Sequence, residues 1–169
     1  TEGHTSEYLY DAAGVKRKLK QVTTTENLLV LMGSMLPVPA DKVAVTIQTD
    51  YCGNVIYENG ALSRILVDGG YITMSGTTAT YHYYIQDHQG NNRVVFNQNG
   101  TIEQTNHYYP FGMTFGEGIN NPNNRYKYNG KELDRMHGLD LYDYGARHYD
   151  AAIGRWGTED ALAELSVSK

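Results

Sequence analysis

The sequence predicts an all-β chain, an antiparallel β-meander of short hairpins with short helical turns near the C-terminus. Three observations carry that prediction. The pattern Asp/Asn-x-x-Gly recurs at Asp11–Gly14, Asp50–Gly53, Asp87–Gly90 and Asn97–Gly100. Aromatic or β-branched residues stand before three of these, as Tyr8-Leu-Tyr10, Thr46-Ile-Gln-Thr49 and Tyr83-Tyr-Ile85, and alternating apolar segments follow, as Asn54-Val-Ile-Tyr57 and Arg93-Val-Val-Phe96. Tyrosine dominates the aromatics, with 15 Tyr against 3 Phe and 1 Trp. It suits a half-buried sheet, where the ring packs and the hydroxyl keeps a polar partner.

Taken in order, each Asp/Asn-x-x-Gly reads as strand, turn, strand. The acidic or amide side chain caps its own backbone, and Gly accepts the positive φ that a tight turn requires. Leu28 to Leu36 reads as a buried strand bent at Gly33 or as a short helical turn, and the flanking Thr run and Val43-Ala-Val-Thr-Ile47 favour the strand. Asn59-Gly60 and Asp68-Gly-Gly70 are hairpin turns flanked by Ile56-Tyr57, Ile65-Leu-Val67 and Tyr71-Ile-Thr-Met74. Ser75-Gly-Thr-Thr78 makes a short loop before Tyr81-His-Tyr-Tyr-Ile85. Gly112 to Asn124 reads as a loop rich in Gly, Asn and Pro. Lys131 to Met136 and Asp160 to Leu165 read as single helical turns.

Composition narrows the function. The 169 residues carry a net charge of −5, and the one basic cluster, Lys16-Arg-Lys-Leu-Lys20, reads as the outer face of a strand. A nucleic-acid partner is therefore not expected. Cys52 is alone, so no intrachain disulfide can form. No apolar run is long enough for a membrane span. His4, His82, His88, His107, His137 and His148 lack paired ligand spacing, so neither a metal nor a cofactor is expected. The first residue, Thr1, fits a processed or excised piece.

Repeats of this kind bury their faces by stacking on neighbouring repeats. Tyr8-Leu-Tyr-Asp-Ala-Ala-Gly14 resembles a YD repeat, and Thr49-Asp-Tyr-Cys-Gly-Asn54 a degenerate one. Asp87-His-Gln-Gly-Asn-Asn-Arg93, Tyr108-Tyr-Pro-Phe-Gly112, Tyr128-Asn-Gly-Lys-Glu-Leu133 and the run from Tyr142 to Trp156 follow in the order of the Rhs repeat-associated core domain. The chain thus resembles the YD-repeat and Rhs proteins, bacterial polymorphic toxin shells related to Tc toxin C subunits. The resemblance implies a segment of a spiralling β-sheet shell with a hollow interior. It also implies degenerate YD hairpins over 1–80 and an Rhs core over 81–169.

The structural signature implied is Tyr108, Pro110, Phe111, Gly112, Gly130, Tyr142, Gly145, Arg147, Tyr149, Asp150, Gly154, Arg155 and Trp156. In the signature, Arg147 and Arg155 are expected to pair with Asp143 and Asp150 and to stack on Tyr144, Tyr149 or Trp156. Gly145 and Gly154 are expected to admit close approach to the rings. The family's self-cleaving aspartate dyad maps onto Asp160, supported by Arg147. A dyad needs two carboxylates sharing a proton. The second aspartate and the cleavage site fall beyond Lys169, and the family's Asp-Pro pairs read Asp150-Ala151 and Asp160-Ala161 here. Asp160 is therefore read as a vestigial or structural carboxylate and the chain as no enzyme.

The function expected is a non-catalytic segment of a secreted or cell-surface bacterial shell that encloses or presents a C-terminal effector. Its partners would be other segments of the same shell or further copies of itself. Two alternatives stand beside it. One is a self-assembling extracellular subunit, a filament or ring joined through open β-edges. The other is a surface carbohydrate-binding module whose aromatic rows stack on a glycan.

Overall fold

The computed structural model describes residues 3–26, 38–115, 124–160 and 163, apart from the side chain of His137. The chain divides into two compact units, Thr1–Ile65 and Leu66–Lys169. The first holds β1 (Gly3–Tyr10), β2 (Lys16–Thr24), β3 (Val43–Cys52), β4 (Val55–Glu58) and most of β5 (Ala61–Val67). Each pairs antiparallel with the next. The lysines of β2 do form a charged surface: Lys18 lies 3.6 Å from Asp50 and Lys20 4.0 Å from Glu7. Leu19, Val22 and Ile56 are buried in this unit.

The second unit begins with β6 (Gly70–Ser75), β7 (Thr78–Gln86), β8 (Asn92–Asn97) and β9 (Ile102–Thr105), again paired in sequence order. β10 (His107–Tyr108) and β11 (Thr114–Phe115) form a small ladder. A four-stranded sheet closes the unit: β12 (Glu132–Asp134), β13 (Leu141–Asp143), β14 (His148–Asp150) and β15 (Arg155–Trp156). Every strand pairing within each unit joins consecutive strands, so the predicted antiparallel meander is what folds. Helical structure among the described residues includes short 3-10 turns at Ala40–Lys42, Tyr128–Gly130 and Met136–Gly138.

One loop design recurs. Among the described residues, five loops begin at Asp11, Asp87, Asn97, Tyr109 and Lys127. In each, the first N–H donates to the carbonyl four residues on, at 2.8–3.1 Å, and the fourth N–H, always from Gly, donates back at 2.8–3.3 Å. Those glycines have φ of 64–93°. A turn closed by a left-handed residue is a favoured hairpin connection. At Asp11, Asp87 and Asn97 the side-chain Oδ1 also accepts the N–H groups two and four residues later, at 2.9–3.1 Å.

Several expectations are corrected. Asp50 does not open such a loop. It lies within β3 opposite Tyr57, and the chain turns at Gly53-Asn54 instead. Lys131 to Met136 is not a helical turn: Glu132, Leu133 and Asp134 are a buried strand, because Leu133 faces Tyr142 across the ladder. Within the loop expected from Gly112 to Asn124, Thr114–Phe115 form a strand, and 116–123 lie outside the described residues. So does Leu28 to Leu36. Of Asp160 to Leu165, the description covers Asp160 and Ala163, whose N–H donates to the Asp160 carbonyl at 2.9 Å.

Candidate functional site

The signature residues converge on the loop that begins at Tyr109. β12 to β15 place Leu133, Tyr142, Tyr149 and Trp156 in one row, since each is the cross-strand partner of the next. Cross-strand neighbours on one sheet face pack directly against each other. Three phenols then reach three successive loop carbonyls. Tyr128 donates to Pro110 O at 3.4 Å, Tyr149 to Phe111 O at 3.0 Å and Tyr142 to Gly112 O at 3.1 Å. The loop carbonyls gain donors that its own short sequence cannot supply.

Two glycines make the approach possible. A Cβ on Gly112, whose φ is +93°, would sit 2.5 Å from the Tyr128 ring. One on Gly154 would sit 2.9 Å from the Phe111 ring. The close approach foreseen at Gly154 is thus made to Phe111 rather than to the signature's own tyrosines. Gly145 and Gly130 serve turns, with φ of 88° and 64°. Tyr108 donates to Asn92 O at 2.7 Å and lies under the Arg93 guanidinium at 5.5 Å.

Leu133, Tyr142 and Ala151 form the buried apolar cluster, with Tyr128, Tyr144 and Tyr149 against it. Trp156 meets Tyr144 edge-on at 5.0 Å and Tyr149 at 5.3 Å. Arg147 covers the Trp156 ring at 4.3 Å, and its Nη2 lies 2.8 Å from Asp160 Oδ2. Arg147 and Asp160, joined in the sequence reading, are therefore brought together. Asp143 Oδ1 accepts the Gly145 N–H at 2.7 Å, and Asp150 Oδ1 accepts the Ala152 N–H at 2.9 Å, so both serve the turns beside them. Arg155 stands opposite Asp150 in the ladder and is exposed.

Burial, reinforced by the nearby Tyr128 and Tyr149 phenols, pushes the Tyr144 hydroxyl up to about 12; this phenol donates to Asn129 Oδ1 at 2.8 Å. Tyr149 is pushed up as well, by burial first and then by Tyr128 and the Asp150 charge. Both phenols are held in the protonated form that donates.

A second cluster escaped the sequence reading. Asn92, Gln104, Asn106, Asn124 and Lys127 are each at most 2% exposed. Gln104 Oε1 accepts from Asn106 Nδ2 at 3.1 Å and from Asn124 Nδ2 at 3.0 Å. Asn92 Nδ2 donates to Tyr126 O at 2.8 Å, and Lys127 Nζ to Asn106 Oδ1 at 2.8 Å. Buried amides persist only when so satisfied. Beside it, His82 Nδ1 lies 2.6 Å from Glu103 and Nε2 2.9 Å from Thr73 Oγ1, while its ring stacks on Tyr71 at 4.3 Å. The only signal available was the density of Asn and Gln around β8 and β9, which also describes ordinary turns.

A cleft of about 250 Å³ opens above Leu133, Tyr142 and Ala151, rimmed by Met113, Thr114, Arg135 and Asp140. Arg135 is engaged by Thr114 and by Asp140 at 3.5 Å. The size suits one side chain rather than an extended ligand. Among the described residues no group of three or more His, Cys, Asp or Glu could hold a metal ion. No helix among them is long and apolar enough to cross a membrane.

The family model of the Teneurin YD-shell matches residues 57–167. Salivary gland surface protein 1 of Aedes aegypti is 28% identical over 167 residues, which are 96% of this chain and 5% of that protein. A crystal structure of TcdB2-TccC3-TEV superposes with a TM-score of 0.66 at 21% identity, covering 95% of this chain and 8% of that one. A structure of the Photorhabdus luminescens Tc holotoxin pore superposes at 0.54 with 16% identity, over 94% of this chain and 9% of that one. These likenesses to solved structures are likenesses of fold. The chain spans less than a tenth of the length of each relative.

Proposed function

Since the chain belongs to the Teneurin YD-shell family, we propose that this structural segment of shell helps enclose or present a C-terminal effector, without turnover of its own. The observation that carries the reading is the closure of the signature on itself. Two phenols of the last sheet, Tyr142 and Tyr149, and one from the turn before it, Tyr128, tie down one loop, which supports a wall element and leaves those hydroxyls committed to structure. We further propose the division into degenerate YD hairpins over 1–80 and an Rhs core over 81–169. Asp160 acts in this proposal as a structural carboxylate clamped by Arg147 at 2.8 Å. A site outside the cell, secreted or at a bacterial surface, belongs to the same proposal; the name of the mosquito relative, a surface protein, supports the exterior location.

The test is protease protection in the full-length protein that carries this segment. The C-terminal region should resist added protease until urea opens the wall. Equal digestion before and after opening would sink the enclosure reading. Asp160→Asn should leave the pattern of chain fragments unchanged over days, whereas loss of a cleavage product would show that the aspartate is catalytic.

One observation favours a second reading, self-assembly through open edges. β1 stands at the end of its sheet, paired with β2 alone among the described strands, and Leu9 is exposed on it. Such an edge is a template for another strand. Light scattering over a concentration series, with electron microscopy of the same sample, separates the two: a stable monomer supports the wall segment, and a ladder of sizes or fibres supports assembly. The aromatic rows that motivated a carbohydrate reading pack on one another and under Arg147, which supports structure over glycan binding.

A further inference from the structure

Lys127 opens a loop at the position where Asp or Asn caps three sister loops, and its side chain turns inward instead. Lysine is among the residues least often fully buried, yet Lys127 is 2% exposed and its Nζ meets Asn106 Oδ1 at 2.8 Å. The Asn106 carboxamide is fixed at its other end too. Its Nδ2 donates to Asn92 O at 2.9 Å and to Gln104 Oε1 at 3.1 Å. A primary amine is therefore held against a side-chain carbonyl that cannot rotate away, out of reach of bulk water.

We propose that Lys127 and Asn106 become joined by an intramolecular isopeptide bond. Amine nucleophiles in desolvated sites are reactive when the neutral form is reached. Nζ lies 2.8 Å from the oxygen of the carboxamide whose carbon it would attack, so the two side chains are already neighbours and the step is intramolecular. The balance is simple. The Lys127 ammonium gives up one proton, the neutral Nζ attacks Asn106 Cγ, the Cγ–Nδ2 bond breaks, and ammonia leaves with the released proton as ammonium. No oxidant or other reactant is needed. The product is a neutral secondary amide. The bond also closes a loop between residues 21 apart, linking the end of β9 to the loop that leads into β12.

The experiment is intact mass spectrometry of the denatured 169-residue chain after prolonged incubation at neutral pH, followed by peptide mapping. The expected mass is lower than the sequence mass by one ammonia, about 17 Da, with fragment ions that join the Asn106 and Lys127 peptides. Lys127→Arg and Asn106→Ala should each restore the full mass and abolish the joined peptide. An unmodified mass in the parent chain overturns the proposal. So does a deficit that persists in Lys127→Arg without a joined peptide, because that is the mark of a succinimide at an asparagine.

Discussion

The loops at Asp11, Asp87 and Asn97 and those at Tyr109 and Lys127 share one backbone and differ in what holds it. In the first group the leading side chain binds the loop's own N–H groups, two and four residues on. In the second, the support comes from far along the chain. Tyr128, Tyr149 and Tyr142 reach the Tyr109 loop. Asn91 Oδ1 accepts the Asn129 N–H in the Lys127 loop at 2.8 Å. The same geometry can thus be encoded locally, by one capping residue, or tertiarily, by a packed neighbourhood that frees the first position for another task. Tyr109 packs on Phe115 at 4.5 Å, and Lys127 enters the amide cluster.

Breaking each kind of loop should expose the difference. Gly112→Ala is expected to have the largest effect. It forces a Cβ into the Tyr128 ring at 2.5 Å as well as a positive φ, and should cost about 3 kcal/mol in urea denaturation. Gly100→Ala has the same φ problem with open space around it and should cost about 1 kcal/mol. Equal losses would mean that tertiary support contributes nothing. Next, Gln104→Leu removes the acceptor shared by Asn106 and Asn124. It should cost about 2 kcal/mol while leaving the locally capped loop at Asp11 protected in hydrogen exchange.

The capped loops sharpen the contrast through pH. Burial pulls the Asp87 carboxyl upward, but hydrogen bonds from the Asn91 side chain and from the Asn91 and Gln89 amides outweigh it, leaving it below the usual 3.8. A lowered folded value means a contribution present above 3.8 and lost as the pH falls below it. Asp87→Ala should cost about 1 kcal/mol at neutral pH. Asp87→Asn keeps an acceptor, as Asn97 does, and should flatten the acid side of the melting-temperature profile. An unchanged acid limb would show that the cap does not titrate with folding.

The smallest effect at neutral pH is expected for Tyr144→Phe. Its phenol rises from 10.0 to about 12 on folding, so its contribution is complete below 10 and drains away as the pH climbs towards 12. The variant should lose less stability than the parent across that alkaline interval, read as thermal midpoints. A parent without any alkaline loss there would contradict the burial of Tyr144.

These contrasts also explain what could be read from the residues in advance. Asp11, Asp87 and Asn97 announce their loops because cap and glycine lie within a few positions. Asp50 misleads because the same letters sit in a strand, where Tyr57 and Lys18 are its neighbours. Lys131 to Met136 has helix-forming residues, and its local preference yields to the pairing of Leu133 with Tyr142. The signature was legible as a set but not as a geometry, since Tyr149 finds Phe111 38 residues away. The amide cluster was hidden for the same reason: Gln104 and Asn124 are 20 apart, and each alone is an ordinary polar residue.

The Tyr109 loop also sets a timetable. A loop capped by Asp11 is complete as soon as its own residues leave the ribosome. The Tyr109 loop has its last phenol delivered 38 residues later, a wait of roughly two to eight seconds at ordinary synthesis speeds. During that interval the Phe111 carbonyl waits longest, because Pro110 O and Gly112 O receive Tyr128 and Tyr142 after 18 and 30 residues. A stop before Tyr149 would leave that carbonyl without its phenol for good, and the loop would then be tied by Tyr128 and Tyr142 alone of the three.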